Sequence, residues 1–141
     1  MAQATAILVR TTGDVETVRL PDENAHHVIH EAVGGWFDCV YDGGDVVYYV
    51  HDEGLLIDLD PNIPVSVMTS RPIAGDVLIV GALDANGVQD GENYDVPAHF
   101  LSPEFAEAVR KSSASEPAKI VWREEKERIL ARGPIILPWD L

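Results

Sequence analysis

The apolar residues of this chain come in short runs of β-forming side chains, each closed by glycine, aspartate or proline, and that spacing limits the possible folds more than any other feature. Ala4-Thr-Ala-Ile-Leu-Val9 ends at Thr11-Thr-Gly-Asp14, and Val15 to Leu20 follows. This reads as a β-hairpin whose first strand is the more buried. Trp36 to Tyr41 and Val46 to His51 flank Asp42-Gly-Gly-Asp45 and form the clearest hairpin in the chain. Val46, Tyr48 and Val50 alternate with Val47, Tyr49 and His51, so both faces are largely apolar and both are expected to be covered. Val77-Leu-Ile-Val80 has no polar member and is expected as a central strand. Asn86-Gly87 is a further turn, with a short edge strand expected from Val88.

Two helices interrupt this pattern. After Pro21-Asp22, the residues Ala25, Val28, Ile29, Ala32 and Val33 recur at three- and four-residue spacing, and Gly34-Gly35 stops the helix. Ser102-Pro103-Glu104 supplies an N-cap, a proline at the first helical position and a carboxylate at the positive end of the dipole. That helix should run to about Ser112 with Phe105, Ala108 and Val109 toward the core. Asp60-Pro-Asn-Ile-Pro64 is too proline-rich for a regular element to be expected there. A chain of 141 residues has room for one buried core. The expected architecture is α+β: a small, mostly antiparallel or mixed sheet with two packed helices and a C-terminal extension. Residues 1–113 form the domain. Residues 114–141 form the extension, with linker-like Ser112 to Pro117, a short charged helix from Trp122 to Ala131, and an apolar arm from Gly133 to Trp139.

Charge narrows the function. Ten Lys and Arg face 24 Asp and Glu, a formal −14. The residues from Ala114 onward are balanced, so residues 1–113 carry the whole excess, and the first lysine is Lys111. Such a body is repelled by nucleic-acid phosphates and anionic lipid and attracted to basic protein surfaces. The same acidity also serves solubility alone. Direct nucleic-acid or membrane binding is not expected. No run approaches the length of a membrane span. Met1 to Arg10 lacks the basic start and long apolar run of a signal peptide. Cys39 has no partner for an internal disulfide. A cytoplasmic location is therefore expected.

Several short motifs occur in a familiar order. Ala32-Val-Gly-Gly-Trp-Phe37, a hairpin, then Val50-His-Asp-Glu-Gly-Leu55 resemble the signature of domain of unknown function family 3846. Pro61-Asn62, Ile73-Ala-Gly-Asp-Val77, Val80-Gly81 and Phe100-Leu-Ser-Pro-Glu-Phe105 continue the likeness, over roughly residues 5–112. The resemblance implies this α+β fold and a phage, plasmid or other mobile-element setting. It implies no activity and no catalytic residue.

Residues able to carry chemistry are few. His26 and His30 lie one turn apart on the first helix, which suits a shared metal. A third ligand would come from His51, Asp52 or Glu53; otherwise the pair belongs to a polar helix face. Cys39 sits in a strand among acidic residues, the wrong surroundings for a nucleophilic thiolate. Asp58-Leu-Asp60-Pro-Asn62 and Asp84-Ala-Asn86-Gly87 resemble fragments of calcium loops without the alternating ligands and distant glutamate. No phosphate-binding glycine loop and no Ser-His-Asp arrangement is present. Trp122, Ile135, Ile136, Leu137 and Trp139 are large apolar groups in a late, proline-flanked segment. They either fold back onto the body or bury themselves in a second copy or a partner.

The expectation is a non-catalytic accessory factor that binds a host protein with a basic surface, with no cofactor. DNA mimicry is its narrower form. A metal- or small-molecule-binding domain built on His26 and His30, and a self-assembling module held by the extension, are the alternatives.

Overall fold

The computed structural model describes residues 3–21, 24–41, 44–81 and 95–131. Among these residues five strands form one antiparallel sheet: β1 (Gln3–Val9), β2 (Val15–Pro21), β3 (Phe37–Tyr41), β4 (Val46–His51) and β5 (Val77–Gly81). The order across the sheet is β2-β1-β5-β4-β3. Two hairpins thus stand side by side with β5 inserted between them. Ile79 pairs with Ile7 on one side and with Tyr48 on the other. All five residues of β5 are buried, which is why its sequence is an unbroken apolar run rather than an alternating one.

Helices cover both faces. α1 (Ala25–Val33) carries the chain from the β2 edge to the β3 edge and buries Ile29 against Ala6, Leu8, Leu78 and Val80. On the other face Ile7, Val9, Tyr48, Val77 and Ile79 meet Val65 of α2 (Ile63–Thr69), Phe100 of a 3-10 turn (Ala98–Leu101) and Val109 of α3 (Pro103–Ser113). α4 (Glu116–Ala131) packs beside α2 and buries Trp122 in a smaller cluster with Ile63 and Ala74. The expected α+β class, both hairpins, the central strand and α1 are all present.

Three details differ from the sequence reading. First, α2 occupies the segment whose prolines argued against a regular element. Asn62 caps it by accepting from the Val65 amide, and Pro64 falls in the first turn, where its missing N–H costs no helical hydrogen bond. Second, the Ser112 to Pro117 stretch is not a linker. α3 runs to Ser113 and α4 begins at Glu116, with Pro117 again in a first turn and Ser115 Oγ accepting from the Ala118 amide. α4 therefore starts six residues before the expected helix. Third, Ala108 is exposed, and α3 turns Val109, with half-buried Phe105 and Ala106, inward instead. Cys39 lies in a strand as expected, exposed on edge strand β3 opposite Tyr49. The strand expected at Val88 lies outside the described residues.

Candidate functional site

Strand register gathers carboxylates at one end of the sheet. Val9 pairs with both Val15 and Val77, and Phe37 pairs with His51, so the β1–β2 turn, the start of β5 and the end of β4 lie together. Asp14, Glu16, Asp38, Asp52, Glu53 and Asp76 come from these segments. The Gly75 amide donates to the Asp60 carbonyl at 2.8 Å and brings the 52–60 turn, with Asp58 and Asp60, to the same end. All of these are exposed except Asp76, which is half-buried. Among the described residues, two cations offset them. Arg10 bonds Glu16 at 2.9 Å and Asp76 at 3.0 Å, and Lys126 of α4 pairs with Asp58. The Lys126 hydrogen bond, and then its charge, hold the Asp58 carboxyl below its ordinary pKa.

Apolar side chains stand in this rim. Trp36 and Leu56 are each 74% exposed and Ile57 is 52% exposed. They are neighbours of the carboxylates through the backbone. The Asp52 amide donates to the Trp36 carbonyl at 3.1 Å, and the Ile57 amide to the Glu53 carbonyl at 3.0 Å. A cavity of about 260 Å³ opens beside them, lined by His51, Asp52, Glu53, Leu56, Pro72, Ile129 and Leu130 among others. An aliphatic floor with two carboxylates at its edge suits the stem and head of a basic side chain. Sequence reading passed over these residues because a lone Trp or Leu beside a turn has no periodicity to mark it as exposed.

His51 acts as a peg under the rim. Its Nδ1 accepts from the Glu53 amide at 3.1 Å and lies 3.7 Å from an Asp52 oxygen, and its ring packs against the bare Cα of Gly35. With Nδ1 accepting, the neutral imidazole carries its proton on Nε2. Gly34 holds a left-handed φ of 82°, and its amide and that of Gly35 both donate to the His30 carbonyl. The glycine pair is thus both a helix stop and the seat for His51.

His26 and His30 are exposed on α1 and engage other rings. The rings of His26 and His27 meet at a tilt with centroids 4.1 Å apart, and those of His30 and Trp36 meet at right angles with centroids 5.0 Å apart. Among the described residues no three His, Cys, Asp or Glu side chains converge as metal ligands, so the His51-Asp52-Glu53 turn does not complete a site on that face. The Asp58–Asn62 fragment is no calcium loop: Asp58 pairs with Lys126, and Asn62 is buried with its amide committed to backbone groups. Asp84-Ala-Asn86-Gly87 lies outside the described residues. The Cys39 amide donates to the Asp38 carboxylate at 2.9 Å, leaving an acid beside the thiol.

Trp122, one of the candidate partner-binding residues, takes the first of the two courses expected for them: it folds back onto the body as part of the core, where it offers no surface to a partner. It is 7% exposed, its indole N–H donates to the Ile73 carbonyl at 3.2 Å, and Lys126 lies over its ring at 5.2 Å. Sequence alone did not decide between the two courses because the buried face of α4 is one tryptophan and an alanine rather than a stripe. Ile135, Ile136, Leu137 and Trp139 lie outside the described residues. No helix among the described residues is long and apolar enough to cross a membrane.

The familiar motifs have structural meanings. Gly34-Gly35 seats His51, and Gly54 lies so close to the Ala74 carbonyl that a Cβ would sit 2.7 Å from it. Asn62 and Asp76 tie the 61–76 segment to β1 and the first turn. No curated protein and no solved structure shows significant similarity to the chain. The family model "Domain of unknown function (DUF3846)" matches residues 4–95, which takes in every motif of the resemblance except Phe100 to Phe105. With that match over more than half its length, the chain belongs to the DUF3846 family.

Proposed function

We propose that the domain is a non-catalytic protein-binding factor, encoded by a phage or other mobile element, that engages a basic surface of a host protein in the host cytoplasm. The observation that carries this reading is the exposure of Trp36 and Leu56 among the carboxylates of Asp52 and Glu53. Solubility alone calls for carboxylates, but not for an exposed tryptophan in their midst. Interfaces draw much of their energy from such aromatic anchors, while surrounding charge steers encounter and selects the partner. In this reading the apolar trio supplies contact area and the rim supplies attraction to Lys and Arg.

The test is capture of partners from host lysate by the tagged chain across a salt series, with Trp36→Ala and the pair Asp52→Asn, Glu53→Gln alongside. A basic protein recovered at low salt, released as salt rises and lost with either variant is the expected result. Recovery of the bait alone, or a partner indifferent to both salt and substitution, would overturn the reading. If the captured protein binds DNA, release of the complex by added duplex marks the rim as a stand-in for phosphates.

A further inference from the structure

A groove of about 730 Å³ opens between α2 and α4, with Ile63 and Val67 on one wall and Ala118, Val121 and Trp122 on the other. Its lining is mostly apolar, and Val67 and Val121 are each 59% exposed along it. Small-molecule sites are typically of this kind: about 300–1,000 Å³, walled by apolar side chains, with a few polar groups that set orientation.

Most polar groups of the lining are already engaged. The Ser66 hydroxyl donates to the Asn62 carbonyl at 2.7 Å, Ser115 Oγ accepts from the Ala118 amide, and Glu125 pairs with Arg128. Ser70 and Arg71 remain, consecutive in sequence where α2 ends. Among the described residues neither side chain makes a hydrogen bond or an ion pair.

A lone cation and a hydroxyl at one end of an aliphatic trough match one anionic head on an apolar tail. Guanidinium and carboxylate share a planar geometry that allows two parallel hydrogen bonds. A dianion would need a second cation, and the formal −14 of the chain opposes any negative charge that Arg71 does not neutralise. The seven residues of α2 rise about 10 Å, and Pro117 to Glu125 on α4 about 12 Å, so the trough takes an alkyl chain of medium length. Burial of that chain against Val67 and Val121 supplies the affinity, and Arg71 sets its direction.

We propose that the α2–α4 groove binds a free medium-chain alkyl carboxylate, its tail along Val67 and Val121 and its head on Ser70 and Arg71. The site uses neither Trp36 nor the rim carboxylates, but Pro72 borders both the groove and the rim cavity, so the readout has to tell the two apart.

The experiment is a titration of the full chain with decanoate below its micelle threshold, followed by methyl and indole NMR. Saturable shifts are expected for the Val67 and Val121 methyls and the Trp122 indole, while the Leu56 and Leu130 methyls of the rim cavity stay in place. Arg71→Gln should weaken binding about fivefold, and Val121→Asp, at an exposed position, should abolish it. Decylammonium, with the same tail and the opposite charge, should bind the parent more weakly than decanoate. No saturable shift up to about 1 mM would overturn the proposal. So would shifts centred on Leu56 and Leu130, or decanoate affinity unchanged in Arg71→Gln, or equal affinity for decanoate and decylammonium.

Discussion

The side-chain amide of Asn62 donates to the Val9 carbonyl at 2.9 Å, joining the start of α2 to the end of β1 across 53 residues of chain. The same nitrogen donates to the Gly75 carbonyl at 3.0 Å, and the side-chain oxygen accepts from the Val65 amide. Asn62 is wholly buried, so every one of these bonds is made away from water. Asn62→Ala removes a helix cap and leaves two carbonyls without this donor. The expected loss is about 2–4 kcal/mol, from roughly 1 for the cap and 1–3 for stranded polar groups. Urea unfolding checks it: the midpoint should fall with an unchanged slope, and a loss below about 1 kcal/mol would remove Asn62 as the clasp.

Two glycines offer a contrast. A Cβ on Gly54 would lie 2.7 Å from the Ala74 backbone oxygen, whereas one on Gly35 would lie 2.6 Å from Nε2 of the His51 ring. Backbone cannot yield as a side chain can. Gly54→Ala should therefore cost more than Gly35→Ala, on the order of 2–3 kcal/mol. In a double-mutant cycle His51→Ala should recover part of the Gly35→Ala loss and none of the Gly54→Ala loss. Equal recovery in both would show that His51 is not the group Gly35 makes room for.

Local pattern carried most of this fold into the sequence. Hairpin turns, the five apolar residues of α1 and the Ser102-Pro103 cap are signals that the chain makes within a few residues. What stayed hidden depends on contacts made at a distance. α2 has a proline in its first turn and is held by Asn62 reaching to Val9 and Gly75, partners no window around residue 62 contains. The role of Trp122 depends on Ile63, Ala74 and the Ile73 carbonyl, about fifty residues away. The rim was invisible for the same reason. Its carboxylates come from four separate stretches of chain, and strand register with the Gly75–Asp60 hydrogen bond brings them to one end.

Asp58 and Lys126 set an expectation for acid. Lys126, by hydrogen bond and charge, lowers the Asp58 pKa, so the folded chain binds fewer protons there than the unfolded one. The resulting stabilisation is whole above the unfolded-state pKa, about 4, and is lost as pH falls through the lowered folded-state value. Glu107, lowered by Arg110, adds to the same window. Asp58 has a left-handed φ of 58°, which Asn also tolerates, so Asp58→Asn isolates the charge. The variant should show a shallower decline in urea midpoint below about pH 4 than the parent, and the difference should shrink in high salt. Parallel acid limbs would mean that the pair does not anchor α4.

Trp122 separates packing from hydrogen bonding in the attachment of α4. Its ring fills the space between Ile63, Ala74 and Ala118, and its N–H meets a carbonyl that also accepts from the Asn62 amide at 2.8 Å. Trp122→Phe keeps most of the packing, and the Ile73 carbonyl keeps a donor, so the loss should be about 1 kcal/mol. Trp122→Ala opens a cavity beneath the helix and should cost about 3–5 kcal/mol. Hydrogen exchange shows where that energy acts. In Trp122→Ala the amides of α4 should lose protection ahead of those in β5, because α4 is joined to the rest through this cluster and the Lys126–Asp58 pair. Loss of protection in both elements together would instead make α4 part of the same cooperative unit as the sheet.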